Sequence, residues 1–495
     1  MVNSNSVLPM TTNYKEKLIL FGTILLVLSL QVLVQLSSEF AYGADGYYYA
    51  AQVNSYVTKG RFFSPDASPI LYGLVYFSKL GNDIVITNKI FVSLLVVSLF
   101  FVSFRFAFLL SKKFYVSLFF GLFLISSSYL PHFSFNFIKN LGGILFLILL
   151  LTEIYNLEKN NFDRKLLQYV KIFLFFGLVF FSHKITAGIA LCFLLLWLGK
   201  HSHSFKYKTI TVIFGVISLV TVVSVFFPNT LQWNDLQTTF SENLQFDFQI
   251  PFYQYSKLYP EFIWEQIVFF LSPLIYLITR RKLTKDQKSF YDQFLVLFVL
   301  LTLPFFTYTA FNFPFRMFLL VFIPGTFLLL PFFSQIKSAI ILVILCVLLF
   351  PYQYFTMIRG KDFNNQDYKL YSIILPLFQF PKNTLIIVHQ GFDYFICYHK
   401  AGDAFHFLPE EKHKNRPIYR IVFGVSSLEF KKYLGESTKI QYLPGFYSIL
   451  EENKWQEFLS LLPADRKEQI LDWRNPNTHR TKTMLINESF KEITK

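Results

Sequence analysis

The feature that most constrains this chain is a series of sparsely charged apolar runs that recurs through its first 355 residues. A helix needs about 17 to 25 apolar residues to cross the hydrocarbon of a bilayer. Runs of that order stand near 17–37, 87–110, 114–130, 140–156, 167–182, 185–199, 208–227, 264–280, 290–309, 316–333 and 337–355. Lipid offers no partner to a free amide or carbonyl, so segments of this kind cross as helices. The sequence therefore predicts an α-helical polytopic membrane protein with about eleven transmembrane helices. Composition agrees: of 495 residues 53% are hydrophobic and only 16% charged, with 64 phenylalanines, which is too apolar for a soluble domain.

The formal charge of +15 could suggest nucleic acid, but its distribution follows topology instead. With the N-terminus cytoplasmic, the inside loops hold Lys112 and Lys113, then Lys159, Arg164 and Lys165, then Lys200, Lys206 and Lys208, then Arg280, Arg281, Lys282, Lys285 and Lys288, and finally Lys337. The short outside loops hold scattered single cations, as the positive-inside rule expects. Lys15 and Lys17 precede the first run, which ends in polar "QLSSEF" without a clear cleavage site, so it reads as a retained anchor. Cys192 and Cys346 lie in apolar runs and Cys397 in the polar tail, which makes neither a disulfide framework nor a zinc spacing.

An odd number of spans places residues 38–86, 228–263 and 356–495 outside. In the first of these, "YYYAAQVNSYV" and "SPILYGLVYFSKL" carry apolar residues at helical spacing but are too short or too polar to cross, and read as helices lying along the membrane surface. Two domains are expected: a transmembrane module, 1–355, and a C-terminal exterior α/β domain, 356–495. In the latter, "NTLIIVHQ", "RPIYRIVFGV" and "TKIQYLP" read as strands, and "SLEFKKYLG" and "SILEENKWQEFLSLL" as helices.

The polar residues that stand out collect at the same exterior face. They are Asp45 and Asp66 in the first loop, His132, Lys139 and Asn140 in "PHFSFNFIKN", His183 and Lys184 in "FSHKITAG", and Asn312 and Arg316 in "AFNFPFR". The middles of the spans are nearly free of ionisable groups, unlike a proton-coupled carrier. One acid with several cations at an interface suits transfer of a group from a lipid phosphate: the acid takes the acceptor's proton, and cations stabilise the leaving phosphate. Each residue also has a plainer role open to it. Asp45 in "GADG" can cap the next helix, and Asp66 in "SPDASP" can form a turn or serve as a second acid. Tyr47, Tyr48 and Tyr49 can stack on a sugar or join the interfacial aromatic belt. His132, Lys139 and Arg316 can bind phosphate or face headgroups, whereas His183 and Lys184 occupy a tight turn between two spans, a costly place for an idle pair. "LGGILF" favours helix packing.

"GADGYYYAAQ" at the exit of the first span, a loop with surface helices, a long series of spans and a C-terminal exterior domain together resemble the GT-C superfamily of integral membrane glycosyltransferases. That superfamily includes oligosaccharyltransferase catalytic subunits, protein O-mannosyltransferases and aminoarabinose transferases. The resemblance implies a polyprenyl-phosphate-linked sugar donor and a catalytic acid in the first exterior loop, the position matched by Asp45. It also implies inversion at the anomeric carbon. The chain departs from the pattern in three places: 131–140 has no acid, "WWDYG" is absent with Trp455 and Trp473 standing alone, and Asp45-Gly46 replaces the Asp-Glu pair of O-mannosyltransferases. A metal-independent transferase of monosaccharides follows best, although no cofactor is certain and a divalent metal stays open.

The expected function is transfer of a hexosyl or pentosyl group at the exterior face of the plasma (inner) membrane to a protein, lipid or glycan, with no nucleic acid involved. Asp45 would be the base. Tyr48, His132, Lys139, His183, Lys184 and Arg316 would bind substrate, with Asp66 as candidate second acid. The alternatives are a lipid or polysaccharide transporter or flippase, and a surface-polysaccharide polymerase or ligase.

Overall fold

The computed structural model describes residues 13–43, 45–159, 166–200, 249–304, 306, 308, 313–335, 341, 344, 368–377, 384–389, 391–400, 403–405, 416–443 and 447–471. The expected span 208–227, nearly all of 337–355, Asn312, Cys346 and Trp473 lie outside them. The chain divides into two units, one of residues 1–37, 65–80 and 89–357, the other of 38–64, 81–88 and 358–495.

The first unit is helical. Its described helices are α1 (Tyr14–Leu36), α3 (Pro69–Ser78), α4 (Ile84–Ser111, which begins in the other unit), α5 (Phe114–Ile125), α6 (Leu130–Phe135), α7 (Ile138–Lys159), α8 (Leu166–Ser182), α9 (Lys184–Lys200), α10 (Pro251–Leu258), α11 (Ile263–Thr279), α12 (Lys285–Leu301), α13 (Phe313–Phe318) and α14 (Phe322–Phe333). Among the described residues five helical stretches are long and apolar enough to cross a membrane: Tyr14–Leu36, Ile84–Ser111, Ile138–Lys159, Pro260–Lys282 and Phe313–Phe333. The protein is an integral membrane protein.

The expected span at 114–130 is interrupted. Helix α5 ends at Ile125 after 12 residues, which at 1.5 Å per residue is well short of a bilayer core. Ser126, Ser127 and Ser128 then turn the chain, and the Ser128 amide donates to both carboxylate oxygens of buried Glu265 at 3.0 Å. A distant acid thus replaces the helical partner that this amide forgoes.

Two adjacent glycines set the packing around α7. A methyl group on Gly142 would lie 2.1 Å from Ile70 Cδ1 of α3, and one on Gly143 would lie 2.3 Å from Thr186 Oγ1 of α9. Both neighbours can approach only because those positions lack Cβ, the packing role that "LGGILF" leads one to expect. At the far ends of α7 and α9, Glu158 pairs with Lys200; between α11 and α12, Arg280 grips Asp292 at 2.9 and 2.7 Å.

The second unit holds α2 (Gly46–Lys59) and a five-stranded mixed sheet. Its strands are β1 (Leu385–Ile387), β2 (Asp403–Phe405), β3 (Ile418–Phe423), β4 (Gln441–Leu443) and β5 (Tyr447–Glu451), in the order β2-β1-β3-β5-β4. β1 runs parallel to β2 and β3, and β5 antiparallel to β3 and β4. Helices α15 (Phe392–Lys400), α16 (Ser427–Leu434), α17 (Glu452–Leu461) and α18 (Ala464–Leu471) complete it.

Alternation along the strands feeds two cores. Ile421, Ile449 and Tyr447 face Tyr47, Ala50 and Ala51 of α2, Tyr371 and Phe395. Val422 and Leu450 face Phe430, Trp455 and Phe458. Residues 447–451 are therefore a strand, whereas the sequence reading placed "SILEE" in the following helix. They are buried on both faces between β3 and β4, so no polar alternation marks them as a strand.

Candidate functional site

In the first unit, five of the expected residues come together. Asp66 precedes α3; its Oδ1 accepts the Ser68 amide at 2.8 Å and its Oδ2 accepts Lys139 Nζ at 2.5 Å. Lys139 is the second residue of α7, and the glycine packing of that helix brings in both α3 and α9. His183 joins α8 to α9, and its Nδ1 accepts the Ile185 amide at 3.2 Å, capping α9. That bond leaves the proton of the neutral ring on Nε2, free to donate to an anion. Its imidazole is held well below the usual histidine range, first by removal from water and then by Lys139, Lys184 and Arg316. A neutral ring is what three neighbouring cations require. The Arg316 guanidinium stacks over Phe137, 5.0 Å from its centroid, two residues before Lys139.

The group thus brings Lys139, Lys184 and Arg316 around the His183 imidazole, with the Asp66 carboxylate on Lys139. Clustered cations and an imidazole at partly buried positions are the kind of arrangement that can hold an anion such as a phosphate.

His132 has other company. Its Nε2 lies 3.4 Å from the Tyr255 hydroxyl, and its ring meets Tyr259 edge to face at 5.0 Å. Burial lowers it to about 4, so at neutral pH its ring is uncharged. Tyr255 continues to the Ser128 hydroxyl at 3.2 Å, next to Glu265.

In the second unit, Asp45 stands at the N-cap position of α2, but its side chain makes no capping hydrogen bond to the helix. Capping, the plainer role open to Asp45, is therefore not what the carboxylate does. The glycines around it serve the backbone: Gly43 has φ +69°, and a methyl group on Gly46 would lie 2.9 Å from Ala41 Cβ. Tyr48 accepts Gln52 Nε2 at 2.9 Å on its hydroxyl, and Gln52 is itself fixed to both backbone groups of Ser64. Tyr47 is buried and packs edge to face on Tyr368 at 4.7 Å and Phe395 at 4.8 Å.

Among the described residues no three His, Cys, Asp or Glu side chains are grouped to hold a metal ion. No protein-family model and no curated protein matches the sequence. Solved structures do. ArnT from Cupriavidus metallidurans bound to undecaprenyl phosphate superposes with a TM-score of 0.56 over 88% of this chain and 97% of that one, at 11% identity. The chain is similar in fold to ArnT. The same enzyme in the apo state gives 0.54 over 88% and 98%, also at 11% identity. ArnT is an aminoarabinose transferase, so the GT-C-type fold expected from "GADGYYYAAQ" and the order of spans is the fold observed.

Three groups escaped the sequence reading. Glu265 lies in the first turn of α11 and is 4% exposed; a lone acid one turn into "FIWEQIVFFL" was the available signal. Lys89 is a buried cation near the start of α4, marked by the single charge in "ITNKIF". Tyr394 and Asp393 of α15 pack near α2 through a sequence separation that no local pattern reports.

Proposed function

We propose that the protein is a membrane glycosyltransferase that takes a sugar from a polyprenyl-phosphate donor and passes it to an acceptor at the exterior membrane face. The observation that carries this reading is the gathering of Lys139, Lys184, Arg316 and His183. The fold of ArnT, whose structure holds undecaprenyl phosphate, supports it. In this reading the donor phosphate takes its hydrogen bonds from Arg316, Lys184 and His183 Nε2, with Lys139 steadied by Asp66. These groups stabilise the charge that grows on the phosphate as the glycosidic bond breaks. Asp45 accepts the proton of the acceptor as it attacks the anomeric carbon, and attack opposite the departing phosphate inverts that centre. The C-terminal part of the chain lies outside the membrane with the acceptor.

The test uses the full chain in nanodiscs, with undecaprenyl phosphate as binding probe and a panel of polyprenyl-phosphate hexoses and pentoses as donors. The reading expects saturable binding that weakens in Arg316→Ala, and donor consumption that is lost in Asp45→Asn while binding remains. Binding equal in wild type and Arg316→Ala would sink the phosphate assignment. Turnover equal in wild type and Asp45→Asn would sink the base.

A further inference from the structure

Helices α2 and α15 belong to one unit and pack along their lengths. Tyr47 inserts between Phe395 and Tyr398, at 4.8 and 5.6 Å between ring centroids, and Asn54 Nδ2 donates to the Tyr398 carbonyl at 3.2 Å. At the N-terminal ends of both helices, the Tyr394 ring meets Tyr48 edge to face at 5.2 Å. Tyr48 is one helical turn beyond Asp45 and is pinned by Gln52. Asp393, 1% exposed, spends one carboxylate oxygen on the amides of Gly391 and Tyr394, both at 2.8 Å, and so fixes the start of α15. The phenol of Tyr394 is thereby set within the fields of two carboxylates, Asp393 of its own helix and Asp45 of α2. Burial and then Asp393, Asp45, Tyr48 and Cys397 all act to keep it protonated.

We propose that Tyr394 is a positioning residue for Asp45: a phenol contributed from the C-terminal part of the chain that donates its proton in a hydrogen bond to the Asp45 carboxylate. One carboxylate oxygen is then held, and the other is aimed at the acceptor hydroxyl or amide. A phenol suits the task because it stays neutral beside an acid and donates from a rigid ring, whereas a lysine there would form a full ion pair and blunt the base. The assignment gives the C-terminal part of the chain a share in the chemistry. It rests on the reading of Asp45 as base.

The experiment places 3,5-difluorotyrosine, whose phenol ionises near neutrality, at position 394 of the full-length protein in nanodiscs and follows its titration by fluorine resonance. Replacing Asp45 by Asn is expected to lower the midpoint by about one unit, the effect of removing a close like charge. Asp393→Asn, also expected to lower it, shows that the probe responds. A midpoint moved by Asp393→Asn and not by Asp45→Asn overturns the proposal. With a donor that the wild type consumes, Tyr394→Phe is expected to lower kcat about tenfold, leave the donor KM unchanged and move the acid limb of the rate profile upward. Wild-type rates at every pH overturn the proposal. Failure of undecaprenyl phosphate to bind would count against the transferase reading alone, because the titration does not depend on it.

Discussion

Lys139 Nζ lies 2.5 Å from Asp66 Oδ2, and the two side chains are 20% and 16% exposed. The pair joins the loop before α3 to the start of α7, which is where the cationic group begins. Asp66 therefore holds Lys139 in place and is already committed through both of its oxygens.

Replacing Asp66 by Asn should leave a partly buried ammonium without its carboxylate and cost about 1–3 kcal/mol of stability. Thermal denaturation in detergent should show a lower midpoint. Affinity for undecaprenyl phosphate should not fall, since the change removes a negative charge from the group. An affinity loss matching that of Lys139→Ala would mean that Asp66 touches the ligand.

Asp45→Asn separates chemistry from folding. The carboxylate makes no capping hydrogen bond to α2, so stability should change by less than about 1 kcal/mol. Loss of a general base should lower turnover by about 10²-fold or more. Circular dichroism melts and donor consumption, measured on the same preparation, check both halves.

Arg316→Lys should not restore what Arg316→Ala removes. The guanidinium combines a planar fork with stacking over Phe137, and an ammonium reproduces neither. Undecaprenyl phosphate affinity should fall about tenfold or more in both variants. Full affinity in Arg316→Lys would show that charge alone matters.

His132 predicts a pH effect with a definite sign. Burial keeps its imidazole neutral down to about pH 4 in the folded protein, whereas an unfolded histidine takes its proton near 6.5. Between those values the unfolded state binds more protons, so stability is full above about 6.5 and falls as pH drops toward 4, by at most about 3 kcal/mol. His132→Gln should flatten this slope in denaturation measured from pH 7 to 4. His183, shifted in the same direction, leaves a residual slope, and an unchanged one would refute the assignment.

Gly46→Ala should destabilise the turn that carries Asp45. The new methyl group would lie 2.9 Å from Ala41 Cβ and 3.2 Å from the Ala41 carbonyl carbon, a backbone clash costing about 1–3 kcal/mol. A melting midpoint equal to wild type would show that the turn can open at no cost.

The long apolar runs, the helices at 69–78 and 46–59, the strands at 385–387 and 418–423 and the cations of the site were all legible in the sequence. Each is written in local pattern: a run of apolar residues can satisfy its backbone in lipid only as a helix, and a charge at the end of such a run stands out against it. Other features needed the tertiary structure. That α5 stops at Ile125 depends on Glu265, 140 residues later, accepting the Ser128 amide. The assignment of 447–451 as a strand depends on partners on both sides. Lys139 is fixed by Asp66, and Tyr394 is set against Tyr48, only because glycine contacts and aromatic packing close distances that the chain does not close along its length. By itself the sequence determined which stretches are apolar and which side chains can carry charge, because hydration acts residue by residue. The tertiary structure decided which charges face one another, because Coulomb and hydrogen-bond energies depend on distances that packing alone sets.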